Sequence, residues 1–347
     1  MTLSHIARVL RPHKFTEVIG QDIAVKLIKN ALLNKLMLPV CTLFGPSGVG
    51  KTTLARLIAM WECCTNHIDD EPCGECVNCK SIISDSHPDV FELDGGTYTG
   101  VDNIKSMLEG MSYATSSANR NNKRIYILDE VHMLSRHAMT ALLKRFEEPM
   151  DNTQFILATT NIEKLPETIL SRSFQIRLNS VDTETVALHL QLVARQGGYQ
   201  IDKESVDYIT YAAQGSVRQG LSFLEQATIL CGGTIRADAT RQMLGLASQE
   251  AVDKIVDNII DREIDKLFEL LAELHEVQPM MLMKQVLHTI QLRSKDDEQA
   301  LRIAYDLAEA SIVMHQSPYS DNILPICLGY VSVKNYEKLS DVAKKLF

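Results

Sequence analysis

The sequence feature that most constrains the fold is the stretch CTLFGPSGVGKTTLA at residues 41–55. It consists of an apolar run, a glycine-rich loop and the beginning of an amphipathic helix. Gly45, Gly50, Lys51 and Thr52 match the phosphate-loop pattern G-x-x-x-x-G-K-[ST] at every position. Glycines let successive backbone N–H groups point at one phosphate, ahead of a helix N-terminus that favours anions. The stretch therefore predicts a nucleotide-binding site.

The residue types of this loop suggest how it would hold a nucleotide. The Lys51 ammonium would reach the β- and γ-phosphates, and the Thr52 hydroxyl would coordinate Mg²⁺. The other loop positions assigned to nucleotide binding are Gly45, Pro46, Ser47, Gly48, Val49, Gly50 and Thr53. The loop thus predicts a nucleotide together with Mg²⁺.

A second motif follows the apolar run RIYIL at residues 124–128, where Asp129 and Glu130 have the Walker B arrangement. Asp129 would hold the Mg²⁺ shell, usually through water, and Glu130 would polarise the water that attacks the γ-phosphate. Two acids at a strand end are commonplace by themselves. The complete phosphate loop upstream is what favours the catalytic interpretation.

Three further polar residues are candidates for contact with the γ-phosphate. Thr160 ends an apolar run and would sit beside the nucleotide. Arg172 lies beyond the last expected strand and suits a finger that reaches the neighbouring subunit's γ-phosphate. Arg218 opens a later helix and could reach the phosphates of its own chain. The simpler alternatives are a strand-end threonine and two solvated surface charges.

Four of the eight cysteines form a cluster in the sequence. Cys64, Cys73, Cys76 and Cys79 give the spacing C-x8-C-x2-C-x2-C, from which thiolates can close a tetrahedral Zn²⁺ site with no open position. We therefore predict a structural zinc knuckle over residues 64–79, with Cys63 as a possible substitute ligand. The remaining cysteines are expected to be buried small hydrophobes: Cys41, Cys231 and Cys327.

Apolar runs that alternate with amphipathic segments predict a parallel α/β sheet, with ligands at the carboxyl ends of its strands. Strands are expected near residues 90–93, 124–130 and 154–160, and helices near 22–36, 101–111 and 135–147. From Asp182 onward helical spacing takes over. We predict three domains: an α/β domain at 1–182, a small helical domain at 183–245 and a further helical domain at 246–347.

Composition narrows the class of protein further. The net charge of −9 leaves no overall basic field of the kind a free-standing DNA-binding protein shows. The N-terminus lacks the apolar region of a secretory signal, and no apolar run approaches a membrane span. We expect a cytoplasmic protein without a membrane partner.

In order and spacing, these motifs resemble the gamma/tau motor subunits of the bacterial DNA polymerase III clamp loader, a family of AAA+ ATPases. The resemblance covers about residues 5 to 245, and the cysteine insertion after the phosphate-loop helix makes it specific. The matching segments are Arg11-Pro12, Phe15, VIGQ at 18–21, the phosphate loop, the four cysteines, DEVHMLS at 129–135, ALLK at 141–144, EEP at 147–149 and Ser171-Arg172.

The resemblance implies an AAA+ P-loop parallel-sheet domain with a zinc insertion, a small helical lid domain and an all-helical C-terminal oligomerisation collar. ATP would lie between the sheet domain and the lid. Thr160 would be the sensor 1 residue, Arg172 the finger in trans and Arg218 the sensor 2 arginine. The residues that would cover adenine are Arg11, Pro12, Val18 and Ile19.

The resemblance also implies partners and an activity. The chain would be a DNA-dependent ATPase that opens the sliding clamp and loads it onto primed template DNA during replication. It would assemble with copies of itself and with delta-type and delta-prime-type subunits in a pentameric spiral. One alternative is another AAA+ DNA remodeller, such as a Holliday-junction branch-migration motor, which lacks the cysteine insertion. The other is a non-hydrolysing stator subunit, which commonly loses the phosphate-loop pattern.

The sequence departs from the family pattern at several positions. Ser173 replaces the cysteine that usually follows the finger arginine, and Gln219 and Gly220 replace the acid and alanine that commonly follow the lid arginine. A helical glycine costs about 1 kcal/mol relative to alanine, so a looser lid is expected. The loop at 97–100 lacks the basic residues often used there on DNA. Because the chain ends at Phe347, we expect a short, gamma-like form.

Overall fold

The computed structural model describes residues 10–97, 104, 107, 123–148, 152–293, 298–316 and 320–333. The chain divides into two compact units, Met1–Val193 with Ala213–Glu225, and Ala194–Ala212 with Gln226–Phe347. Apart from Thr97, Ile104 and Met107, the predicted loop at 97–100 and helix at 101–111 lie outside the described residues. The domain boundaries expected at residues 182 and 245 stay a prediction.

The first unit is built on a parallel sheet, as predicted. It has five strands, and the fifth, which follows Arg172, was not predicted because the strand ending near Thr160 was expected to be the last. Its strands are β1 (Val40–Phe44), β2 (Val90–Asp94), β3 (Arg124–Asp129), β4 (Thr153–Thr159) and β5 (Phe174–Arg177), in the spatial order β2-β3-β4-β1-β5. Every residue of β4 is buried, as expected for a parallel strand covered on both faces. Phe44 pairs with Thr159 and Leu128 with Leu157. This register brings the carboxyl ends of β1, β3 and β4 to one edge of the sheet.

Helices of the first unit connect these strands. They are α1 (Asp22–Leu33), α2 (Lys51–Cys63), α3 (Val77–Ile83), α4 (Arg136–Glu147), α5 (Glu167–Leu170) and α6 (Thr183–Gln196), the last of which continues into the second unit. α1 ends three residues earlier than expected. Lys35 adopts a φ of 56°, and the N–H groups of Lys35 and Leu36 donate to the carbonyls of Leu32 and Ala31. This Schellman arrangement closes the helix.

The main core of the first unit lies between α2 and the sheet. Leu54, Leu57 and Ile58 of α2 are fully buried against apolar residues of β1 and β3. The same core extends to Phe15 on the N-terminal side and to Cys64 and Cys79 of the cysteine insertion. The helix that follows the phosphate loop is thus fixed by packing that also includes the insertion.

The second unit is mainly helical, as predicted for this half of the chain. Its helices are α7 (Lys203–Ala213), α8 (Val217–Cys231), α9 (Ala237–Met243), α10 (Gln249–Asp261), α11 (Ile264–Glu273), α12 (Pro279–Arg293), α13 (Glu298–Gln316) and α14 (Ser320–Val333), of which α8 begins in the first unit. Two short parallel strands, β6 (Gln200–Ile201) and β7 (Thr234–Ile235), were not predicted. Within the described ranges, none of the helices combines the length and apolar character that a membrane span requires.

Candidate nucleotide site and cysteine cluster

The phosphate loop connects β1 to α2 at the carboxyl edge of the sheet. Gly50 is the N-cap of α2 and has a φ of 110°, which favours glycine. A Cβ on Gly45, whose φ is 151°, would lie 2.1 Å from the carbonyl oxygen of Leu178. Both glycines are therefore required by the local geometry, and they let the backbone turn closely over the helix N-terminus.

Lys51 lies over this loop. Its Nζ donates hydrogen bonds to the carbonyl oxygens of Gly45 at 2.9 Å and Pro46 at 2.8 Å. Burial lowers the pKa of Lys51, while the carboxylates of Glu130 and Asp129 act in the opposite direction. The ammonium group thus lies close enough to the Walker B acids to interact with both.

Thr52 and Asp129 meet across the carboxyl edge of the sheet. The Thr52 hydroxyl donates to Asp129 Oδ2 at 2.6 Å, although the two residues are 77 positions apart. Hydroxyl and carboxylate oxygens are ligands that Mg²⁺ accepts, usually in combination with water and phosphate oxygens. These residues could therefore hold Mg²⁺, and their role as its ligands stays a prediction.

Glu130 is held against the end of β4. Its Oε2 accepts a hydrogen bond from the backbone N–H of Thr160 at 3.2 Å. The Thr160 hydroxyl lies 3.1 Å from Glu130 Oε2 and 2.9 Å from Asn161 Oδ1, so its single proton can go to either acceptor. The φ of Glu130 is 44°, in the left-handed region that non-glycine residues rarely adopt. Thr160 is thus a direct partner of the second Walker B acid.

His132 is a further partner of Glu130, which the sequence did not identify as a site residue. Its Nδ1 lies 3.3 Å from Glu130 Oε2 and 3.0 Å from Thr159 Oγ1, and its side chain is only 8% exposed. A carboxylate oxygen offers only lone pairs, so we assign a proton to the imidazole nitrogen that faces it. In the sequence, the sign that could have pointed to His132 as a site residue is its position two residues after Glu130.

The two arginine candidates have different surroundings. The backbone N–H of Arg218 donates to the Gly48 carbonyl at 3.3 Å, which places the start of α8 beside the phosphate loop. Arg172 is exposed, and its guanidinium contacts the Thr168 carbonyl at 3.1 Å and Glu147 at 3.7 Å. The structure therefore brings Arg218 to the loop and leaves Arg172 on the surface.

A cavity of about 470 Å³ lies in the first unit. It is lined by Arg11, Pro12, His13, Arg56, Met60, Ile82, Ile83, Asp85, Arg218, Ser222 and Glu225. Burial and the neighbouring guanidinium of Arg56 lower the pKa of Arg11. Two of the predicted adenine-pocket residues, Arg11 and Pro12, thus line the same cavity as Arg218. Of the other two, Val18 is buried in the core and Ile19 is half-buried.

Arg56, on α2, is another residue that the sequence did not single out. Its guanidinium forms ion pairs with Asp85 at 2.7 Å and with Glu92 of β2 at 2.6 Å. These contacts fix the wall of the cavity on the side of the insertion. No local motif marks Arg56, because its partners are distant in the sequence.

The four predicted zinc ligands converge. The Sγ atoms of Cys64, Cys73, Cys76 and Cys79 all lie within 4.8 Å of one another. Cys64 and Cys73 are 3.5 Å apart at sulfur, and Cys73 and Cys79 are 3.9 Å apart. Tetrahedral sulfurs on Zn–S bonds of about 2.3 Å would lie roughly 3.8 Å apart. The cluster therefore fits a zinc ion, which would close the insertion as a structural cross-link.

Backbone hydrogen bonds support this cluster. The N–H groups of Cys73, Cys76 and Cys79 donate to the sulfurs of Cys64, Cys73 and Cys76, respectively, at 3.3–3.4 Å. Burial opposes ionisation of Cys76, but hydrogen bonds from the backbone and side chains of Cys79 and Thr65 together outweigh it, and the pKa of Cys76 falls to about 6. Cys63, the predicted substitute ligand, is buried in the core instead, and burial raises its pKa to about 12.

Two family models match the chain. The model described as DNA polymerase III, delta subunit matches residues 20–182, and the model described as DNA polymerase III clamp loader subunit, ATPase lid domain matches residues 185–233. The DNA polymerase III subunit gamma of Buchnera aphidicola subsp. Schizaphis graminum is 38% identical over 250 residues, which cover 72% of this chain and 68% of that protein. The chain belongs to the DNA polymerase III gamma/tau family of clamp-loader subunits. This membership supports ATPase activity.

Other relatives agree with this assignment. The DNA polymerase III subunit tau of Escherichia coli K12 is 36% identical to this chain over 245 residues. These residues cover 71% of this chain and 38% of the Escherichia coli protein. Among solved structures, the RuvB Holliday junction branch migration motor of Thermotoga maritima aligns with a TM-score of 0.50 at 21% identity, covering 78% of this chain and 86% of that one. The likeness to RuvB shows the fold alone. Together these findings confirm the predicted AAA+ fold class.

Proposed function

We propose that this chain is an ATP-hydrolysing motor subunit of a DNA polymerase III clamp loader. In this role it opens the sliding clamp and loads it onto primed template DNA. The observation that supports hydrolysis best is the contact between Thr52 and Asp129 at 2.6 Å, with Glu130 next in the chain and Lys51 over the loop. A stator that only binds its partners has no need of this complete set.

Within this proposal, each candidate residue at the carboxyl edge of the sheet has one role. Lys51 binds the β- and γ-phosphates, and Thr52 and Asp129 hold the Mg²⁺ that balances phosphate charge. Glu130 polarises the attacking water, so its carboxylate must turn from Thr160 toward the phosphate. Thr160 and Arg218 report on the γ-phosphate from the same chain. The walls for adenine and ribose are the segment with Arg11 and Pro12 and, on the core side, Val18 and Ile19.

Arg172 acts in trans in this proposal. It is exposed, and its ion pair with Glu147 at 3.7 Å is held on the surface, where solvent screens it. A neighbouring subunit's γ-phosphate could therefore displace Glu147 at small cost. The proposed assembly contains copies of this chain with delta-type and delta-prime-type subunits in a pentameric spiral, joined by the helical region after about residue 245. The zinc ion has a structural role.

The deciding experiment is the ATPase rate of the reconstituted loader, measured alone, with the clamp, and with both the clamp and primed template DNA. We expect stimulation by the clamp and a further rise with primed DNA, and loss of nucleotide binding in Lys51→Ala. Stimulation by four-way DNA junctions without a clamp would instead indicate a branch-migration motor. An assembly whose rate is unchanged by Lys51→Ala would indicate a stator.

A further inference from the structure

The cysteine insertion makes an unexpected contact with the N-terminal segment at residues 11–15. Glu71, between Cys64 and Cys73, is 5% exposed. Its Oε2 accepts the backbone N–H of Phe15 at 2.6 Å, across 56 positions of sequence. Its Oε1 pairs with Lys29 of α1 at 2.8 Å. One buried carboxylate therefore ties the insertion to both the N-terminal segment and the first helix.

Glu71 is itself fixed by the insertion. Ile68 and Glu71 exchange backbone hydrogen bonds at 3.1 and 2.9 Å across a tight turn, in which Asp69 and Asp70 have φ values of 50° and 56°. Cys73 follows two residues later and belongs to the sulfur cluster. Because a metal ion would hold Cys64 and Cys73 together, it would close the loop that carries Glu71.

Phe15 is anchored on a second side by aromatic packing. Its ring lies 6.4 Å from that of Trp61 on α2, and Trp61 in turn lies 4.2 Å from His67 of the insertion. Glu17 Oε2 accepts the N–H groups of His13 at 2.8 Å and Lys14 at 3.2 Å, which makes the segment locally compact. Fixing Phe15 therefore also fixes His13 and the residues just before it.

The residues just before Phe15 line the 470 Å³ cavity, and the insertion reaches the same cavity directly. Ile82 and Ile83, at the end of α3, line it, and Asp85 holds Arg56 at its wall. α3 has Cys76 as its N-cap and contains Cys79. The cluster thus organises two walls of the cavity, one through Glu71 and one through α3.

We propose that Glu71 is a positioning residue for nucleotide binding, through which zinc in the four-cysteine cluster and nucleotide at the phosphate loop bind with positive coupling. The inference rests on the proposed nucleotide site. With Cys64 and Cys73 held together by zinc, Glu71 would keep residues 11–15 against the cavity, so that the nucleotide would meet a preformed wall. Because coupling between two sites is reciprocal, bound nucleotide must raise the affinity for zinc by the same factor, through the same contacts.

The test uses the full-length, zinc-loaded chain, with ATPγS as the nucleotide probe. Glu71→Ala should retain about one zinc per chain and bind ATPγS roughly tenfold more weakly, the effect expected for loss of a buried charge-assisted hydrogen bond. The matched control is Glu75→Gln, which removes an exposed charge from the same insertion and should leave the ATPγS Kd unchanged. An unchanged Kd in zinc-loaded Glu71→Ala would overturn the proposal.

A second measurement keeps the proposal testable if Glu71→Ala fails to fold. The zinc affinity of the unsubstituted chain is measured at equilibrium with a competing colorimetric chelator, with and without saturating ATPγS. We expect ATPγS to raise the zinc affinity several-fold and to have no effect in Lys51→Ala. Equal zinc affinities in the unsubstituted chain would overturn the coupling. If Lys51→Ala still bound ATPγS normally, the proposed nucleotide site itself would be wrong, which is a distinguishable failure.

Discussion

The backbone N–H of Thr160 donates a hydrogen bond to Glu130 Oε2 at 3.2 Å, so the end of β4 holds the second Walker B acid. Sequence motifs place both residues at strand ends, but only the sheet makes them partners. In the proposed mechanism this contact sets the starting position of the carboxylate that polarises water. It also links a candidate γ-phosphate sensor directly to the carboxylate that we propose polarises water.

Glu130→Gln should separate nucleotide binding from hydrolysis. Glutamine keeps the shape of the side chain but is too weak a base to polarise water, so we expect the ATPase rate of the assembled loader to fall about 100-fold or more. The Kd for ATPγS should change less than about twofold, because Lys51 and the loop N–H groups remain. Glu204→Gln, an exposed acid on α7, serves as the control. A mutant rate within a few-fold of the original would contradict the assignment.

We expect His132 to affect ATP hydrolysis through its Nδ1 atom, which faces Glu130. His132→Leu removes the donor that faces Glu130, and we expect kcat to fall about tenfold with little change in the KM for ATP. Asparagine places an amide nitrogen at the position of Nδ1, so His132→Asn should recover most of the rate. Glutamine places it one bond further away and should not. Equal rates in the leucine and asparagine variants would reduce His132 to a packing role.

Arg172→Ala should affect the neighbouring site only. The side chain is exposed and makes surface contacts in its own chain, so the ATPγS Kd of the isolated subunit should stay unchanged. In the reconstituted assembly, loss of an arginine that stabilises transition-state charge should lower ATPase activity by a factor of about 1,000 or more at each affected site. Arg195→Ala, an exposed arginine on α6, is the matched control. Full assembled activity in Arg172→Ala would exclude the finger role.

Gly220→Ala should stabilise the first unit, in line with the expectation that glycine at this helical position loosens the structure. An added Cβ would lie 3.5 Å from Leu190 and 3.6 Å from Ala213 and Val186, which is ordinary van der Waals contact. The gain should be about 1 kcal/mol in the free energy of unfolding, measured by denaturant titration. Gly215→Ala is the contrasting variant. Its φ of 79° and a Cβ only 2.8 Å from the Val181 carbonyl predict destabilisation.

Elemental analysis should find about one zinc per chain after purification without chelator, because the sulfur separations fit a tetrahedral site. Cys73→Ser should lower the zinc content and the thermal stability of the first unit, since Cys64, Cys73 and Cys79 belong to its core. Cys231→Ser, outside the cluster, should change neither quantity. A chain that folds normally without any bound metal would argue against the structural role.

The amino-acid sequence alone determined the parts of this protein whose chemistry is local. The phosphate loop, the Asp129-Glu130 pair and the four cysteines are recognisable because short spacings fix their geometry on a turn, a strand end or a hairpin. Apolar runs that alternate with amphipathic segments also predicted the parallel sheet. Sequence patterns did not predict β5, which has four residues, or β6 and β7, which have two residues each, because strands this short leave little periodic signal.

Tertiary structure alone decided which distant residues meet. The contacts of Glu71 with Phe15, Thr52 with Asp129, and Arg56 with Glu92 join residues that are far apart in the chain. No periodicity encodes such pairs, because they depend on strand order and on how α2 packs against the sheet and the insertion. For the same reason the sequence could name a phosphate loop and a cysteine cluster, whereas only the fold shows that the buried carboxylate of Glu71 ties the cysteine insertion to the N-terminal segment and to α1.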